Sequence, residues 1–452
     1  MKLKLSLYFV ILSTFYGLSA VDLPVFYRAP YFQNTFGKNE AKYTTQFSVR
    51  YMHGETRNSW NDHNDKKSLF SSYGYTNLAT MGLNIENPNA QIQQFWVAED
   101  APFNPDKYTQ SGKDGLIDFK GKFDLDEVDF TIQQDIFWGF FAQVYVPVRD
   151  IKFKNISYNN LGEATIGQTG HQVNVDTFMK DTLNPILESM GLKDYQKPYS
   201  DSGVSEILAS IGWHKYARVI SPIIKSLSGT VQAGVLLPTD GKMPDNISFA
   251  MPIGYGQYWA ANLRANAFVG IFDWLGLGAQ IGTTIFFSER RTRRMKTDLN
   301  QSGWILLEKA FCTYNPGQEW DFGAHVQVGP FFGLSFMAGY SYSRQEKAEL
   351  TVRDHNFLKT YSQNLLNQDP WDPHYPSNTF PMVASKNEIV NTDNRLRPWD
   401  THTLHLVAKY EFESEKFCPS IQFEYNYPFY SDYGWPTDVW GGSANLMLKF
   451  KF

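Results

Sequence analysis

Alternation of apolar and polar residues constrains this chain more than any other feature of its sequence. The last eight residues, NLMLKFKF, alternate between two sets of side chains: Leu446, Leu448, Phe450 and Phe452 against Asn445, Lys449 and Lys451. A period of two indicates a β-strand with one face in an apolar medium and the other face in a wet one. The same pattern recurs in segments 44–51, 320–328, 332–343, 403–413 and 421–427. The chain is therefore predicted to be all-β.

The connections between the predicted strands alternate in length. Short connections, such as 138–139 and 273–274, are followed by long ones, such as 289–318 and 346–400. Short turns at one end and long loops at the other are typical of outer-membrane barrels. We predict a transmembrane antiparallel up-and-down β-barrel of about 14 strands, within a range of about 12–16, with short helices in its extracellular loops. The predicted strands are 41–53, 72–85, 91–99, 127–137, 139–153, 206–226, 228–237, 258–272, 274–288, 319–329, 331–345, 401–413, 416–427 and 440–452.

The N-terminal residues have the pattern of an export signal. Lys2 and Lys4 precede an apolar run over residues 5–16, and Ala20 offers a cleavage position. The run is shorter than the roughly 20 residues that a membrane-spanning helix needs. We therefore expect a signal peptide at 1–20, a periplasmic tail or plug at 21–40, and the barrel at 41–452. These segments predict export to the outer membrane of a Gram-negative-type bacterium.

Charged and polar residues on the inward side of the predicted strands are the best functional candidates. Such side chains tune the selectivity of a channel, or pair with one another and brace the wall, and both roles can hold together. The predicted lumen-lining residues are Arg50, Asp135, Arg264, Gln280, His325, Lys409, Glu411, Glu424, Lys449 and Lys451.

Other segments predict contacts outside the lumen. Leu448, Phe450 and Phe452 resemble the C-terminal signal by which the outer-membrane barrel assembly machinery recognises its clients. The basic stretch 288–296 would meet lipopolysaccharide phosphates or lie solvated in a loop. A helix is predicted between Asp176 and Gly191 in a long loop.

Several classes of function are disfavoured. The net charge of −5 gives no electrostatic reason to bind nucleic acid. No His-Glu-x-x-His, Cys-x-x-Cys or Gly-x-Ser-x-Gly pattern occurs, so we expect neither an enzyme nor a cofactor or metal site. Cys312 and Cys418 are predicted to lie at opposite ends of the barrel, and no disulfide is expected between them.

One stretch resembles a known family. Ser202, Gly203 and Glu206, followed by the strand end at Pro238, Thr239 and Asp240, resemble outer-membrane barrels of the long-chain fatty acid transporter-like type. That family includes the putative transporters linked to meta-pathway phenol degradation. The resemblance covers about 90 residues, and Ser205-Glu206 and Asp240-Gly241 depart from the family's pattern. It implies about 14 strands, an N-terminal plug and hydrophobic substrates, and no ligand-binding residue is carried over.

Three functions follow from a barrel of this kind. The leading hypothesis is a monomeric channel or transporter for small molecules, with hydrophobic compounds as its substrates. The alternatives are a general diffusion porin and a surface or structural barrel that transports nothing. An apolar site in a plugged lumen would favour the first, and an open polar channel would favour the second.

Overall fold

Twelve antiparallel strands form the wall of a closed barrel in the computed structural model. The structure describes residues 43–61, 65–78, 115–162, 165–166, 173–189, 191–241, 244, 246–296, 303–306, 309–353, 390–412, 417–435 and 437–450. The wall strands are β1 (Tyr43–Thr56), β2 (Leu116–Phe137), β3 (Phe140–Asn160), β4 (Ile207–Arg218), β5 (Ser226–Leu237), β6 (Ala260–Phe272), β7 (Leu275–Phe286), β8 (Gln318–Phe331), β9 (Leu334–Gln345), β10 (Trp399–Glu411), β11 (Phe417–Asp432) and β12 (Asp438–Phe450).

Each wall strand pairs with its two neighbours in sequence, and β1 closes the barrel against β12. The predicted all-β antiparallel barrel is confirmed, with a strand count at the low end of the predicted range. The prediction of about 14 included strands at 72–85 and 91–99. Of these two segments, residues 79–85 and 91–99 lie outside the described residues, and β1 bonds β12 along one edge and β2 along the other.

Short connections join the wall strands at one end, which we call the turn end, and long ones join most of them at the other, the loop end. Two connections differ from the prediction. The turn between β4 and β5 spans 219–225 and not 227–229 as predicted. β4 ends at Arg218, so the last eight residues of the predicted strand 206–226 belong to the turn and to the start of β5. The connection between β11 and β12 is only 433–437, although a long loop was predicted there.

Large apolar side chains cover the outside of the barrel. On β3 the outward positions within residues 140–148 are apolar, and those within residues 150–154 are charged. On β2 the same change falls between Val128 and Asp126, and the strand register places it at the same height. Eight residues of a tilted strand rise about 20 Å, which approaches the height of the apolar band of a membrane barrel.

Further elements cap the loop end. A strand at Tyr199–Val204 is bonded to β3, and a two-residue strand at Thr76–Asn77 is bonded to β2. A three-stranded sheet joins Glu289–Arg294, Lys309–Asn315 and Glu349–Val352. Short strand pairs join Asn58–Trp60 to Lys66–Ser68 and Thr165–Ile166 to Val173–Asn174. Short 3₁₀ helices occur at Leu69–Tyr73 and Asn394–Leu396.

The predicted loop helix is present as three consecutive pieces, Val175–Thr177, Phe178–Thr182 and Leu183–Ser189. Its N-cap is Asn174, whose side chain accepts a hydrogen bond from the Asp176 backbone N–H. The middle piece is a π-helix that precedes Pro185, which lacks the N–H of a regular helical turn. Among the described residues, no helix is long and apolar enough to cross a membrane.

Candidate functional site: the barrel interior

The interior side of β2 changes character along its length. Toward the loop end its inward residues are apolar, with Phe119, Phe123 and Leu125 buried. In the middle they are Glu127 and Asp129, and toward the turn end they are Thr131, Gln133 and Asp135. β1 follows the same order, with Thr44, Gln46 and Ser48 toward the turn end, Arg50 in the middle and Met52 beyond it. The interior beside β1 and β2 is therefore apolar near the loop end, charged in the middle and polar near the turn end.

The charged middle zone, which we call the charged layer, consists of Arg50, Glu127, Asp129, Arg149, Glu206 and Glu424. The guanidinium of Arg50 donates from Nε to Asp129 Oδ2 at 2.6 Å and from Nη1 to Glu424 Oε1 at 3.2 Å. Glu424 on β11 contacts Arg50 on β1 across Gly441, which lies on the intervening strand β12. A Cβ atom added at position 441 would lie 3.4 Å from Glu424 Oε1. All three charged side chains are almost completely buried.

Arg149 forms the second half of the charged layer. Its Nε donates to Glu127, and its Nη1 lies 3.3 Å from Glu206 Oε2 and donates to the carbonyl of Ile253 at 3.0 Å. The Tyr145 hydroxyl also donates to Glu127, at 3.2 Å. Since Ile253 belongs to the connection between β5 and β6, Arg149 ties the wall to a loop that covers the barrel.

The height of the charged layer matches a boundary on the outside of the barrel. Asp129 and Glu127 flank Val128, which is the last apolar outward residue of β2 before Asp126. The interior and the exterior surfaces of the barrel therefore change from uncharged to charged side chains at the same height. A membrane that covered the apolar exterior would end at the level of the charged layer.

An aromatic cluster fills the interior between the charged layer and the loop end. Its central residues come from the loops and from β2 and β3: Phe70, Phe123, Phe153, Phe249, Trp304 and Trp435. Ring centroids are 4.3 Å apart for Phe70 and Phe249, and 5.3 Å apart for Phe70 and Trp304. The Trp304 indole donates to the Phe70 carbonyl at 2.9 Å, and the Trp435 indole to the Ser72 hydroxyl at 3.3 Å.

The wall formed by β6, β7 and β8 is built differently from the wall that carries the charged layer. The His325 ring lies flat over Gly278, the Phe268 ring over Gly276, and the two rings stack with centroids 6.1 Å apart. The Asp321 carboxylate lies in the same way over Gly282. Because the glycines have no side chains, these inward groups rest against this glycine wall and do not extend across the interior.

The sequence-predicted lumen residues fall into separate groups. Arg50 and Glu424 meet in the charged layer. Lys409 and Glu411 pair at 2.8 Å beside a small cavity of about 50 Å³ near the turn end. Asp135 accepts hydrogen bonds from the backbone N–H and hydroxyl of Thr44, at 3.0 and 2.5 Å.

The remaining predicted lumen residues belong to the glycine wall or lie outside the described residues. Arg264, Gln280 and His325 are inward residues of β6, β7 and β8. The Lys449 side chain and the whole of Lys451 lie outside the described residues. Of the proposed C-terminal signal, Leu448 and Phe450 are in β12, whereas Phe452 and the Phe450 side chain lie outside the described residues.

The sequence prediction missed four members of the charged layer: Glu127, Asp129, Arg149 and Glu206. Glu127 and Asp129 stand on the same face as Asp135, at steps of two residues along a strand that was predicted. Extending the alternation would have found them. Arg149 follows by the same rule on β3, but the position of Glu206 depends on a break between two strands, which alternation does not reveal.

The segments of the family resemblance come together at this break. The Thr239 hydroxyl donates to the Ser205 carbonyl, and the Asp240 carboxylate accepts from the backbone N–H of Gly256 and Gln257 at 2.7 and 3.0 Å. Burial raises the pKa of Asp240 to about 6, with the Glu206 carboxylate adding to the shift and the two backbone donors opposing it.

Other sequence expectations have direct structural outcomes. No disulfide joins Cys312 to Cys418, as predicted. His402 and His405 lie on opposite sides of β10, because His402 contacts Tyr340 outside the barrel and His405 contacts Ser341 inside it. Within the described ranges, no group of three or more His, Cys, Asp or Glu residues could hold a metal ion. Residues 1–40, and with them the proposed signal and plug, lie outside the described residues.

Comparisons with known proteins find similar folds only. No protein-family model and no curated protein sequence matches the chain. The structure is similar to the COG4313 outer membrane channel from Pseudomonas putida F1, at 9% identity and a TM-score of 0.46, over 94% of this chain and 100% of that one. A Pseudomonas aeruginosa FadL homologue matches at 9% identity and a TM-score of 0.28, over 91% of both chains. The Ralstonia pickettii toluene transporter TbuX matches at 8% and 0.30, also over 91% of both. Identities and TM-scores at this level carry no information about substrate.

Proposed function

We propose that this protein is an outer-membrane channel for small hydrophobic compounds. The observation that carries the proposal is the aromatic cluster inside the barrel, between the loops and the charged layer. In a membrane the apolar exterior would face lipid, with the loop end outside the cell and the turn end in the periplasm. An apolar compound arriving at the loop end would then meet aromatic rings before it met any charge.

The glycine wall supplies a route for the rest of the passage. Its inward groups lie flat, while the charged layer lines the opposite wall. A compound that left the aromatic cluster would move toward the turn end along the glycine wall. Burying the apolar surface of a compound among aromatic rings is favourable by about 25 cal/mol per Å². The polar zone toward the turn end would not provide this stabilisation, so the compound would be released there.

Placement in the outer membrane requires export and assembly. The proposed signal peptide at 1–20 and the C-terminal residues of β12 would supply these steps, with the barrel assembly machinery as a partner. Lipid and lipopolysaccharide would surround a monomer. These parts of the proposal rest on the sequence pattern and on the apolar exterior of the barrel.

The experiment combines conductance with ligand binding by the full chain. We expect little open current in a planar bilayer and saturable binding of a small aromatic probe. Trp304→Ala, inside the aromatic cluster, should weaken binding at least several-fold. Trp274→Ala, at an exposed turn, is the matched control and should not. A large, stable current without selectivity would make the protein a general porin. If the protein neither conducts current nor binds the probe, the structural barrel that transports nothing would be supported.

The proposed plug needs its own comparison. β1 begins at Tyr43 on the turn end, so residues 21–40 precede it on the periplasmic side of the proposed topology. Deleting residues 21–40 should turn a silent protein into a conducting one if this segment occupies the lumen. Equal currents before and after the deletion would show that closure depends on the loops and the charged layer.

A further inference from the structure

A groove of about 530 Å³ lies on the outside of the barrel, across strands β4 to β7. Its sides are formed by large apolar residues: Ile211, Trp213, Leu263, Ile281 and, on β8, Trp320. Nearly all of the surface that the groove offers to a ligand is apolar. It lies on the opposite face of the sheet from the glycine wall and shares no residue with the aromatic cluster.

Small outward residues make this groove possible. Ala233 on β5 and Ala265 on β6 line it between the larger side chains. One outward step closer to the turn end, Gly229, Ala267 and Ala279 are paired in one row across β5, β6 and β7. The outside of the barrel is otherwise covered by large apolar side chains, so these small residues leave a depression in its surface.

A single charge stands at one end of the groove. Lys215 follows Trp213 by two residues on β4, on the same outward face, and pairs with Gly229 on β5. On strands β4 to β7, all of which the structure describes, it is the one charged residue at an outward position. Its side chain is exposed, and within the described part of the chain no carboxylate pairs with it.

The position of Lys215 along β4 sets its depth in a membrane. It precedes Arg218, the last residue of β4, by three residues, and these rise about 8 Å along a tilted strand. In the proposed topology its ammonium group would therefore lie near the head groups of the leaflet that faces the periplasm. A charge on the lipid face of a barrel is unfavourable unless it lies near the interface or has a counter-charge.

We propose that this groove holds one acyl chain of a phospholipid of the periplasmic leaflet, with an anionic head group on Lys215. The single positive charge matches a head group with one net negative charge, such as that of phosphatidylglycerol. Gly229 has no side chain, and even a Cβ there would stand 3.6 Å from its nearest neighbour, so the space beside Lys215 is open. The inference rests on the proposed membrane placement, but it does not require any compound to pass through the interior.

The experiment is native mass spectrometry, which identifies retained lipids by their mass. The full chain is inserted into nanodiscs of equal parts phosphatidylglycerol and phosphatidylethanolamine and is then released into a mild detergent. We expect one phospholipid to stay bound to each barrel. Phosphatidylglycerol should be retained about fivefold more often than phosphatidylethanolamine, because a basic residue at a membrane surface favours anionic lipid by about that factor.

Two variants separate the charge from the groove. Lys215→Gln should abolish the preference for phosphatidylglycerol while one lipid is still retained. Ala265→Phe fills the groove and should lower the retention of both lipids at least fivefold. The matched controls are Lys193→Gln, an exposed lysine at the loop end, and Ala444→Phe, an exposed outward alanine on β12. Both controls should behave like the wild-type chain, and thermal unfolding of each variant confirms that its barrel folds.

Several outcomes would overturn the proposal. These are a barrel that inserts but retains no lipid, a preference that Lys215→Gln leaves unchanged, and retention that Ala265→Phe leaves unchanged. A complex of two chains without lipid would assign the groove to a second copy instead. A chain that fails to insert at all would overturn the membrane placement together with the groove. Binding of the aromatic probe is measured on the same samples, so failure of the channel proposal remains distinguishable.

Discussion

The Nε atom of Arg50 on β1 donates a hydrogen bond to the Asp129 carboxylate on β2 over 2.6 Å, and neither side chain is exposed to solvent. The pair crosses the β1–β2 interface at the height where the barrel exterior changes from apolar to charged. Glu424 extends the contact to β11. Arg50 therefore joins three strands at the level where a membrane would end.

Arg50→Ala should destabilise the barrel by about 3–5 kcal/mol, because it leaves Asp129 and Glu424 buried without their counter-charge. Thermal unfolding in detergent measures the effect. Arg50→Ala combined with Asp129→Ala should recover part of the loss, and the double-mutant cycle gives the coupling. Arg218→Ala, at the exposed end of β4, is the control. A change below about 0.5 kcal/mol for Arg50→Ala would mean that the pair is not a buried one.

Arg149→Gln should loosen the loop between β5 and β6, because Arg149 donates to the Ile253 carbonyl at 3.0 Å. A hydrogen bond from a charged group contributes about 1.5–3 kcal/mol, so amide exchange in segment 247–256 should rise roughly tenfold or more. Lys152→Gln changes the same charge on the outward side of β3 and should leave this segment unaffected. Unchanged exchange in the Arg149 variant would show that other contacts hold the loop.

Gly278→Ala should destabilise the barrel by about 1–3 kcal/mol and displace the His325 ring, because a Cβ at position 278 would overlap that ring. If the passage runs along the glycine wall, ligand flux should fall as well. His325→Ala in the same chain should restore both quantities. Gly229→Ala is the control, since its Cβ would stand 3.6 Å from the nearest atom. If adding His325→Ala to the Gly278→Ala variant restores neither stability nor flux, overlap between the Cβ at position 278 and the His325 ring is not the cause.

Acidification from pH 7.5 to 5 should stabilise the folded protein, because protonation of Asp240 removes a buried negative charge that lies near Glu206. The pKa of Asp240 is raised to about 6 in the folded protein, above its ordinary value of 3.8. The folded state therefore binds more protons than the unfolded state between these values, and stability falls as pH rises through about 6. We expect about 1–3 kcal/mol, read from unfolding midpoints. Asp240→Asn should reduce this pH dependence; an unchanged profile would assign it to other groups.

Val144→Arg tests whether lipid covers the exterior. Val144 lies in the middle of the apolar outward positions of β3 and is 42% exposed. A charge near the bilayer midplane costs a membrane barrel about 2–4 kcal/mol. Folding titrations into lipid vesicles measure the cost. Ser157→Arg, above the apolar band on the same strand, should cost little. Equal effects of the two variants would argue against a membrane at this level.

Much of the fold and part of the interior follow from sequence alone, for a physical reason. A strand places successive side chains on opposite faces, so a strand between lipid-like and wet surroundings must alternate in its sequence. Nine of the twelve wall strands were predicted to within about five residues at both ends, and the inward positions of Arg50, His325, Lys409 and Glu424 follow from the same rule. The loop helix was predicted from its spacing between Asp176 and Gly191, but its N-cap is Asn174 and not Asp176.

Only the tertiary structure decided how many strands close the barrel and which interior residues meet. Alternation is a local property, whereas closure depends on which edges pair, and β1 pairs directly with β2 across more than 50 intervening residues. The contact between Arg50 and Glu424 joins positions 374 residues apart. Arg395 likewise donates to the carbonyl of Arg294, 101 residues away in sequence. Local pattern assigns a residue to a face, but only the closed, tilted sheet sets its height and its neighbours on that face.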